Sequence, residues 1–402
     1  MKLPVYMDYQ ATTPVDPRVL ESMLPFFTLK FGNPASRQHA FGWEAENAVD
    51  QARSVIAKSF HAESREIVFT SGATESNNLA IKGVAEARKQ KGNHIITIQT
   101  EHKSVLDVCR KIERSGFDVT YLPVDEFGSV DLSQLLGAIT PKTILMTVMA
   151  ANNEIGTIQD IAAIGKICRD RNIVFHTDAT QALGKIPVDV RDMQCDLLSF
   201  SGHKIYGPKG IGGLYIRSGQ PKIHLVTQMD GGGHERNLRS GTLNVPGIVG
   251  LGRAIEIASA EMEAESGRIR THRDMMWTAF RERLDEVYLN GHPDNRLPNN
   301  LNVSFLDIED NVLMMNIKDI AVSTGSACTT ASPEPSHVLR ALKVGRAREQ
   351  SALRFSLGRF TTAEEVEYVI DRVITNVQSL RTMRPRSHSG TRKFNNEKVR
   401  ER

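Results

Sequence analysis

No stretch of this sequence approaches the run of about 18 apolar residues that a membrane-spanning helix needs, and the opening Met1-Lys-Leu-Pro-Val-Tyr-Met7 carries no long apolar signal core. Cysteine is scarce: Cys109, Cys168, Cys195 and Cys328 are scattered, with no CxxC pair among them. That spacing argues against a zinc site and against a disulfide framework, and predicts a soluble chain in a reducing, cytoplasmic compartment with no membrane partner. No GK[ST] phosphate loop occurs, which excludes the usual nucleoside triphosphate site. The run Gly207-Pro-Lys-Gly-Ile-Gly-Gly213 is rich in glycine, yet it lacks the strand-to-helix setting of a dinucleotide fingerprint. Strong charge is missing too: the formal net charge is +3, too small a balance to predict direct nucleic-acid binding. Internal repeats and low-complexity tracts are absent as well.

What remains is 402 residues of ordinary globular composition, 40% hydrophobic and 24% charged, enough for one large domain and a smaller one. Asp16-Pro17 reads as the cap and first position of a helix. From Ile67 to about Ile216 short apolar, β-branched runs alternate with helical stretches. The strand candidates are Ile67–Phe69, His94–Gln99, Val119–Pro123, Ile144–Met149, Ile173–Thr177, Leu197–Ser199 and Gly213–Ile216. This pattern predicts an α/β fold with a mostly parallel seven-stranded sheet covered by helices on both faces. Beyond Pro246 a long amphipathic helix is expected from Ile248 to about Tyr288. Strand-like runs at 301–305, 320–322 and 353–356 then suggest a smaller α+β domain, closed by a helix from Ala363 to Leu380. We therefore expect a large domain over 15–262, a small domain from 1–14 and 263–380, and a basic tail over 381–402 that is disordered by default.

Open parallel sheets bind ligands at the carboxyl ends of their strands, so the residues just after each predicted strand carry the functional information. Thr70-Ser-Gly-Ala-Thr-Glu-Ser76 leads into a helix, and small residues there suit either a phosphate cradle or simple helix capping. His102 follows the next strand and reads as a ring-stacking, proton-handling residue or a structural histidine. Asn152-Asn153-Glu154 forms a polar turn in an apolar setting. Asp178 is either a carboxylate that keeps a heteroaromatic nitrogen protonated or a helix cap. Lys204 sits in the tight turn Ser201-Gly-His-Lys-Ile-Tyr-Gly-Pro-Lys-Gly210 between two strands, where a tuned lysine can form a Schiff base. Together a phosphate cradle, a stacking histidine, a carboxylate and a lysine match what pyridoxal phosphate requires. Far along the chain, Cys328 stands in Ser323-Thr-Gly-Ser-Ala-Cys-Thr-Thr-Ala-Ser332, where nothing large surrounds it. It reads as an accessible loop thiol, whereas Cys109, Cys168 and Cys195 read as small buried apolar residues.

With these residues in place the chain resembles the cysteine desulfurases of the NifS/IscS group, fold-type I pyridoxal-phosphate enzymes of the class V aminotransferase family. The likeness runs from Met7-Asp-Tyr-Gln-Ala-Thr-Thr-Pro14 to about Arg384. The resemblance implies that Lys204 joins the cofactor, His102 covers its ring and handles protons, Asp178 pairs with the ring nitrogen, and Gln181 bonds the ring hydroxyl. It also implies that Ala73, Thr74, Ser201 and His203 hold the phosphate with Thr242 of a partner subunit, hence a homodimer. Asn153 would line the cofactor and, with Arg354, hold the substrate carboxylate. Cys328 would take sulfur from L-cysteine as a persulfide, pass it to acceptor proteins of iron–sulfur cluster assembly or of tRNA or DNA thiolation, and serve at most as a transient iron–sulfur ligand; no other metal site is implied. Thr324 and Thr330 replace the commoner serines of the group, and 381–402 does not resemble its docking tail. The alternatives are a related lyase or aminotransferase such as a selenocysteine lyase, and a non-catalytic sulfur-relay protein. The basic residues of the tail suit either a solvated segment or contact with thiolation machinery.

Overall fold

The computed structural model describes residues 1–324 and 336–383. Cys328 and the tail from residue 384 onward lie outside the described residues. Thirteen strands appear in chain order among the described residues. They are β1 (Val5–Tyr6), β2 (Ile67–Thr70), β3 (His94–Ile98), β4 (Asp118–Leu122), β5 (Thr143–Thr147), β6 (Val174–Asp178), β7 (Leu197–Ser201) and β8 (Gly212–Ile216), then β9 (Val287–Asn290), β10 (Asn300–Phe305), β11 (Ile320–Ala321), β12 (Ser323–Thr324) and β13 (Ala352–Ser356). The helices that matter for the site are α1 (Pro17–Met23), α2 (Pro25–Thr28), α3 (Ala40–Ser59), α4 (Ala73–Arg88), α5 (Lys103–Glu113), α6 (Leu132–Ala138), α7 (Ile161–Asp170), the single turn α8 (His234–Asn237) and α9 (Val245–Arg283).

All seven expected strands join one sheet in the order β2-β8-β7-β6-β5-β3-β4. The strands β2, β3, β5, β6 and β7 are buried along their whole length, which is why they read as unbroken apolar runs instead of alternating ones. Six run parallel; β8 is antiparallel to both β2 and β7. The reason is local: only the turn from Gly202 to Ile211 separates β7 from β8, too little chain for the crossover that a parallel neighbour needs. One face is covered by α3, α7 and α9, which contribute Val49, Ile56, Ile164, Leu251 and Ile255 to a core with Phe175 and Phe200. The other is covered by α4 and α5 through Leu79, Ile81, Val84, Val105 and Ile112.

A second sheet, in the order β12-β13-β10-β9, is antiparallel and packs on the far half of α9 and on the C-terminal helix Ala363–Met383. Two boundaries differ from the sequence expectation. The long helix stops at Arg283, where Leu284 turns to extended backbone, so Val287 and Tyr288 belong to a strand that pairs with β10. β-branched and aromatic residues favour that pairing over a further helical turn. The closing helix runs on to Met383 instead of Leu380, and Arg381 donates to the carbonyls of Asp285 and Leu306, so it docks on the small sheet and is not part of a free tail. No described helix is long and apolar enough to cross a membrane.

The N-terminal arm joins the two sheets. β1 pairs with β11 beside the small sheet, Ser356 of β13 donates its N–H to the Met7 carbonyl, and Thr13 donates to the carbonyl of His203 in the turn after β7. The arm ends on Asp16, which caps α1 through Arg18 and takes a hydrogen bond of 2.7 Å from Arg359, three residues beyond β13. The hydrogen bond from Arg18, with help from Arg359, holds the Asp16 carboxyl well below its ordinary 3.8 although burial opposes this. A depressed carboxyl contributes stability above the unfolded value and loses it as pH falls. Asp16→Asn should therefore cost about 2 kcal/mol in urea unfolding at pH 7, because the charged hydrogen bonds to Arg18 and Arg359 are lost while Arg359 keeps Glu265. The gap between variant and parent should narrow as pH drops below about 4.

Candidate active site

The carboxyl ends of the parallel strands open into a cavity of about 470 Å³, closed on one side by the N-terminal arm and β13. Each expected strand-end residue meets there. Ala73 and Thr74 follow β2, His102 follows β3, Asn153 follows β5, Asp178 ends β6 with Gln181 beyond it, and Ser201 ends β7 with His203 and Lys204 in the turn after it. Arg354 enters from β13.

The helix α4 begins at Gly72, whose φ of +151° and ψ of 179° suit glycine alone. No side chain caps it: Thr70 Oγ1 is engaged with Ser76 Oγ at 2.8 Å instead. The first-turn N–H groups of Ala73 and Thr74 are thus left for a ligand, and the helix end supplies partial positive charge. Ser201 lies opposite, since a Cβ on Gly72 would come to 3.6 Å from its Oγ. His203 Nδ1 bonds Thr12 Oγ1 at 3.1 Å, and burial, aided by the Lys204 charge, pushes its imidazole down to about 4. It faces the cavity as a neutral ring.

Asp178 is nearly fully buried, with Oδ1 accepting from Thr180 N–H at 2.9 Å and Oδ2 from Asn77 Nδ2 at 2.8 Å. It thus makes a local turn and also presents a fixed carboxylate to the cavity. Gln181 donates through Nε2 to the Gln10 carbonyl, while its buried Oε1 has no partner among the described residues. His102 caps α5, and its Nδ1 accepts from the Ser104 N–H at 3.1 Å. Burial lowers its pKa despite the nearby Asp178 charge. Lys204 Nζ donates to the carbonyls of Gln10 and Ala11 at 2.7 and 2.6 Å. Behind it, burial and then the Lys204 charge push Lys185 down to about 7. Arg354 bonds the Asn153 carbonyl at 2.9 Å and Asp8 at 2.7 Å.

Two expected residues are not brought in. Thr242 is exposed and does not line the cavity of its own chain, and Cys328 lies outside the described residues. Cys109, Cys168 and Cys195 are buried, and burial raises all three thiols, Cys109 to about 12. Among the described residues no cluster of His, Cys, Asp and Glu has the makings of a metal site. Sequence reasoning missed Asp8, Gln10, Asn77 and Ser104. Asp8 and Gln10 fall in the quoted Met7-Asp-Tyr-Gln stretch but had no strand end to mark them. Asn77 and Ser104 had no signal, being ordinary polar residues near the starts of α4 and α5.

The comparisons with known proteins agree with this geometry. Residues 5–369 match the family described as aminotransferase class-V. A protein named cysteine desulfurase IscS from Pectobacterium carotovorum subsp. carotovorum is 58% identical over 387 residues, 96% of this chain and 95% of that one. A solved structure titled NIFS-like protein superposes with a TM-score of 0.87 at 40% identity, over 93% of this chain and 99% of the other. Another, titled SspA in complex with cysteine, gives 0.80 at 42% identity over 89% and 100%. Matched over both sheets, the arm and the cavity between them, the chain belongs to the aminotransferase class-V family, in its NifS/IscS group.

Proposed function

We infer that this chain is a pyridoxal-phosphate-dependent cysteine desulfurase, which takes sulfur from L-cysteine, releases L-alanine and passes the sulfur to acceptor proteins of iron–sulfur assembly or of tRNA or DNA thiolation. The observation that carries this reading is the meeting, in one cavity, of an uncapped helix start, a fixed carboxylate, a histidine, a lysine amine and an arginine from the second sheet. These residues fit the cofactor. The N–H groups of Ala73 and Thr74 with Ser201 and His203 suit the phosphate, the unpaired Gln181 Oε1 awaits a hydroxyl donor, and Asp178 suits a protonated ring nitrogen. Bound there, the cofactor supplies a carbonyl for an amine and a ring that withdraws electrons from Cα.

The chain's own residues do the rest. Arg354 and Asn153 orient the substrate carboxylate, and His102 covers the cavity wall. With the cofactor bound, Lys204 Nζ would be the base that takes the Cα proton. The Cys328 thiolate then attacks the substrate sulfur: an S–S bond forms, the Cβ–S bond breaks, and its electron pair stays on the three-carbon fragment. That fragment gains protons and leaves as alanine, so cysteine plus a thiol becomes alanine plus a Cys328 persulfide.

Two features support a homodimer. Leu24, Phe27, Leu29, Phe31, Phe41 and Trp43 form an exposed apolar band around α1, α2 and the start of α3, more than a lone soluble chain ordinarily shows. Thr242 is exposed and does not line the cavity of its own chain, which suits a role in the cavity of a partner.

Incubation with cysteine should add about 32 Da, one sulfur atom, to the Cys328 peptide by mass spectrometry. Cys328→Ser should abolish both that adduct and alanine release; continued alanine formation would favour a lyase of the same fold. Arg354→Lys, which loses the two-pronged grip on a carboxylate, should raise KM about tenfold with a smaller change in kcat. For the dimer, Lys204→Ala and Thr242→Ala chains are each expected to hold cofactor poorly. Mixed, they should regain one tightly binding site per dimer by absorbance titration, and failure to regain it would count against a shared site.

A further inference from the structure

The cavity wall behind His102 contains a buried hydrogen-bond chain that the proposed chemistry does not use. Asn77 Nδ2 donates one hydrogen to Asp178 Oδ2 and the other to Ser104 Oγ, both at 2.8 Å. The amide cannot be turned the other way round, because its oxygen would then face an acceptor-only carboxylate; its Oδ1 is buried without a donor. Ser104 Oγ, already accepting from Asn77, sends its own proton to His102 Nδ1 at 2.8 Å, and the Ser104 N–H points at the same nitrogen. Nδ1 therefore meets two donors and must offer its lone pair. The single proton of the neutral ring then lies on Nε2, an assignment that follows from the partners of the other nitrogen.

We propose that Asn77 and Ser104 are positioning residues that lock His102 as the Nε2–H tautomer, so that the ring meets the bound amino acid and cofactor as a hydrogen-bond donor and not as a base. This rests on the reading of the cavity as the desulfurase site, and it narrows the proton-handling role expected of His102: uptake of a second proton would have to occur at Nδ1, against two donors. The groups that act on the ring are consistent with a neutral state. Asp178 at the end of β6 favours the charged form and Lys204 after β7 opposes it, Lys103 and Asp107 of α5 act in opposite senses, and burial outweighs them all.

The test is nitrogen NMR of histidine-labelled holoenzyme, with His102→Gln used only to assign the signal. In the parent enzyme the His102 resonances should show a protonated Nε2 and a bare Nδ1, and this should persist below the ordinary histidine midpoint of 6.5. Ser104→Ala removes one donor and the link to Asp178, and should raise the His102 midpoint by about half to one pH unit, the titration equivalent of one neutral hydrogen bond. Ser104→Thr, which keeps the hydroxyl, should restore it. A protonated Nδ1 in the parent enzyme would overturn the proposal without any variant, and so would a Ser104→Ala titration that coincides with the parent's. Alanine release from cysteine, measured separately, reports on the desulfurase reading itself, so the two can fail independently.

Discussion

The N-terminal arm is the strip of backbone around which this molecule is arranged, pinned to β13 through the Met7 carbonyl and Ser356 N–H and to the turn after β7 through Thr13. On the proposed reading, its Gln10 and Ala11 carbonyls hold the Lys204 amine whenever that amine is not joined to the cofactor. An amine carried on a long flexible stem would otherwise cost side-chain entropy to hold in place. Here it is held by main-chain carbonyls, which accept a hydrogen bond without taking the amine's proton. The same arm brings Asp8 to Arg354 and Asp16 to Arg359, so the two sheets and the lysine share one strip of backbone.

Around this point the structure sorts charge by burial. Glu101 lies just behind His102, fully buried, with Oε1 on the Met149 N–H. Burial, with the Asp178 charge adding to it, pushes its carboxyl well above the ordinary range. Glu154 is likewise raised by burial and is held by Ser336, whose hydroxyl also caps the helix that follows the Cys328 loop in sequence. Histidines 102, 176 and 203 are all lowered for the same reason, His176 to about 4. These buried carboxyls and imidazoles therefore tend toward neutrality, which leaves Asp178, Lys204 and the Arg354–Asp8 pair among the charges that shape the field in the cavity.

Much of this was legible in the chain because an α/β sheet repeats one rule. Strands buried on both faces announce themselves as apolar runs, and the residue after each one lies at the ligand end. That rule marks the Thr70–Ser76 stretch, His102, Asp178 and Lys204 from the chain alone, while Ala73 within the stretch is marked only by the family resemblance. The antiparallel return of β8 was a matter of loop length, visible in principle from the few residues between Ser201 and Gly212. The strand at Val287 was hidden because the helical pattern before it gives no stop signal, with Leu284 and not glycine ending α9. Asn77 and Ser104 were not legible at all: their meaning lies in partners 101 and 27 residues away, and polar residues early in a helix look alike until the sheet brings them together.

Arg354 shows how far the arrangement constrains what can enter. Each terminal nitrogen gives one hydrogen away, to the Asn153 carbonyl and to Asp8, and keeps a second, while its buried Nε has no partner among the described residues. A buried donor left unsatisfied costs free energy until something accepts from it, of the order of 1–3 kcal/mol. A carboxylate arriving at that edge recovers this cost, whereas a neutral group of similar size recovers less. Asp8 works in the opposite direction: it offsets the guanidinium charge, so an anion gains less from simple attraction than from geometry. On the proposed reading, the site therefore selects by placement, admitting an amino acid whose carboxylate reaches the open edge of Arg354 while its amine reaches Lys204. The span between β13 and the turn after β7, fixed by the arm, thus measures the substrate.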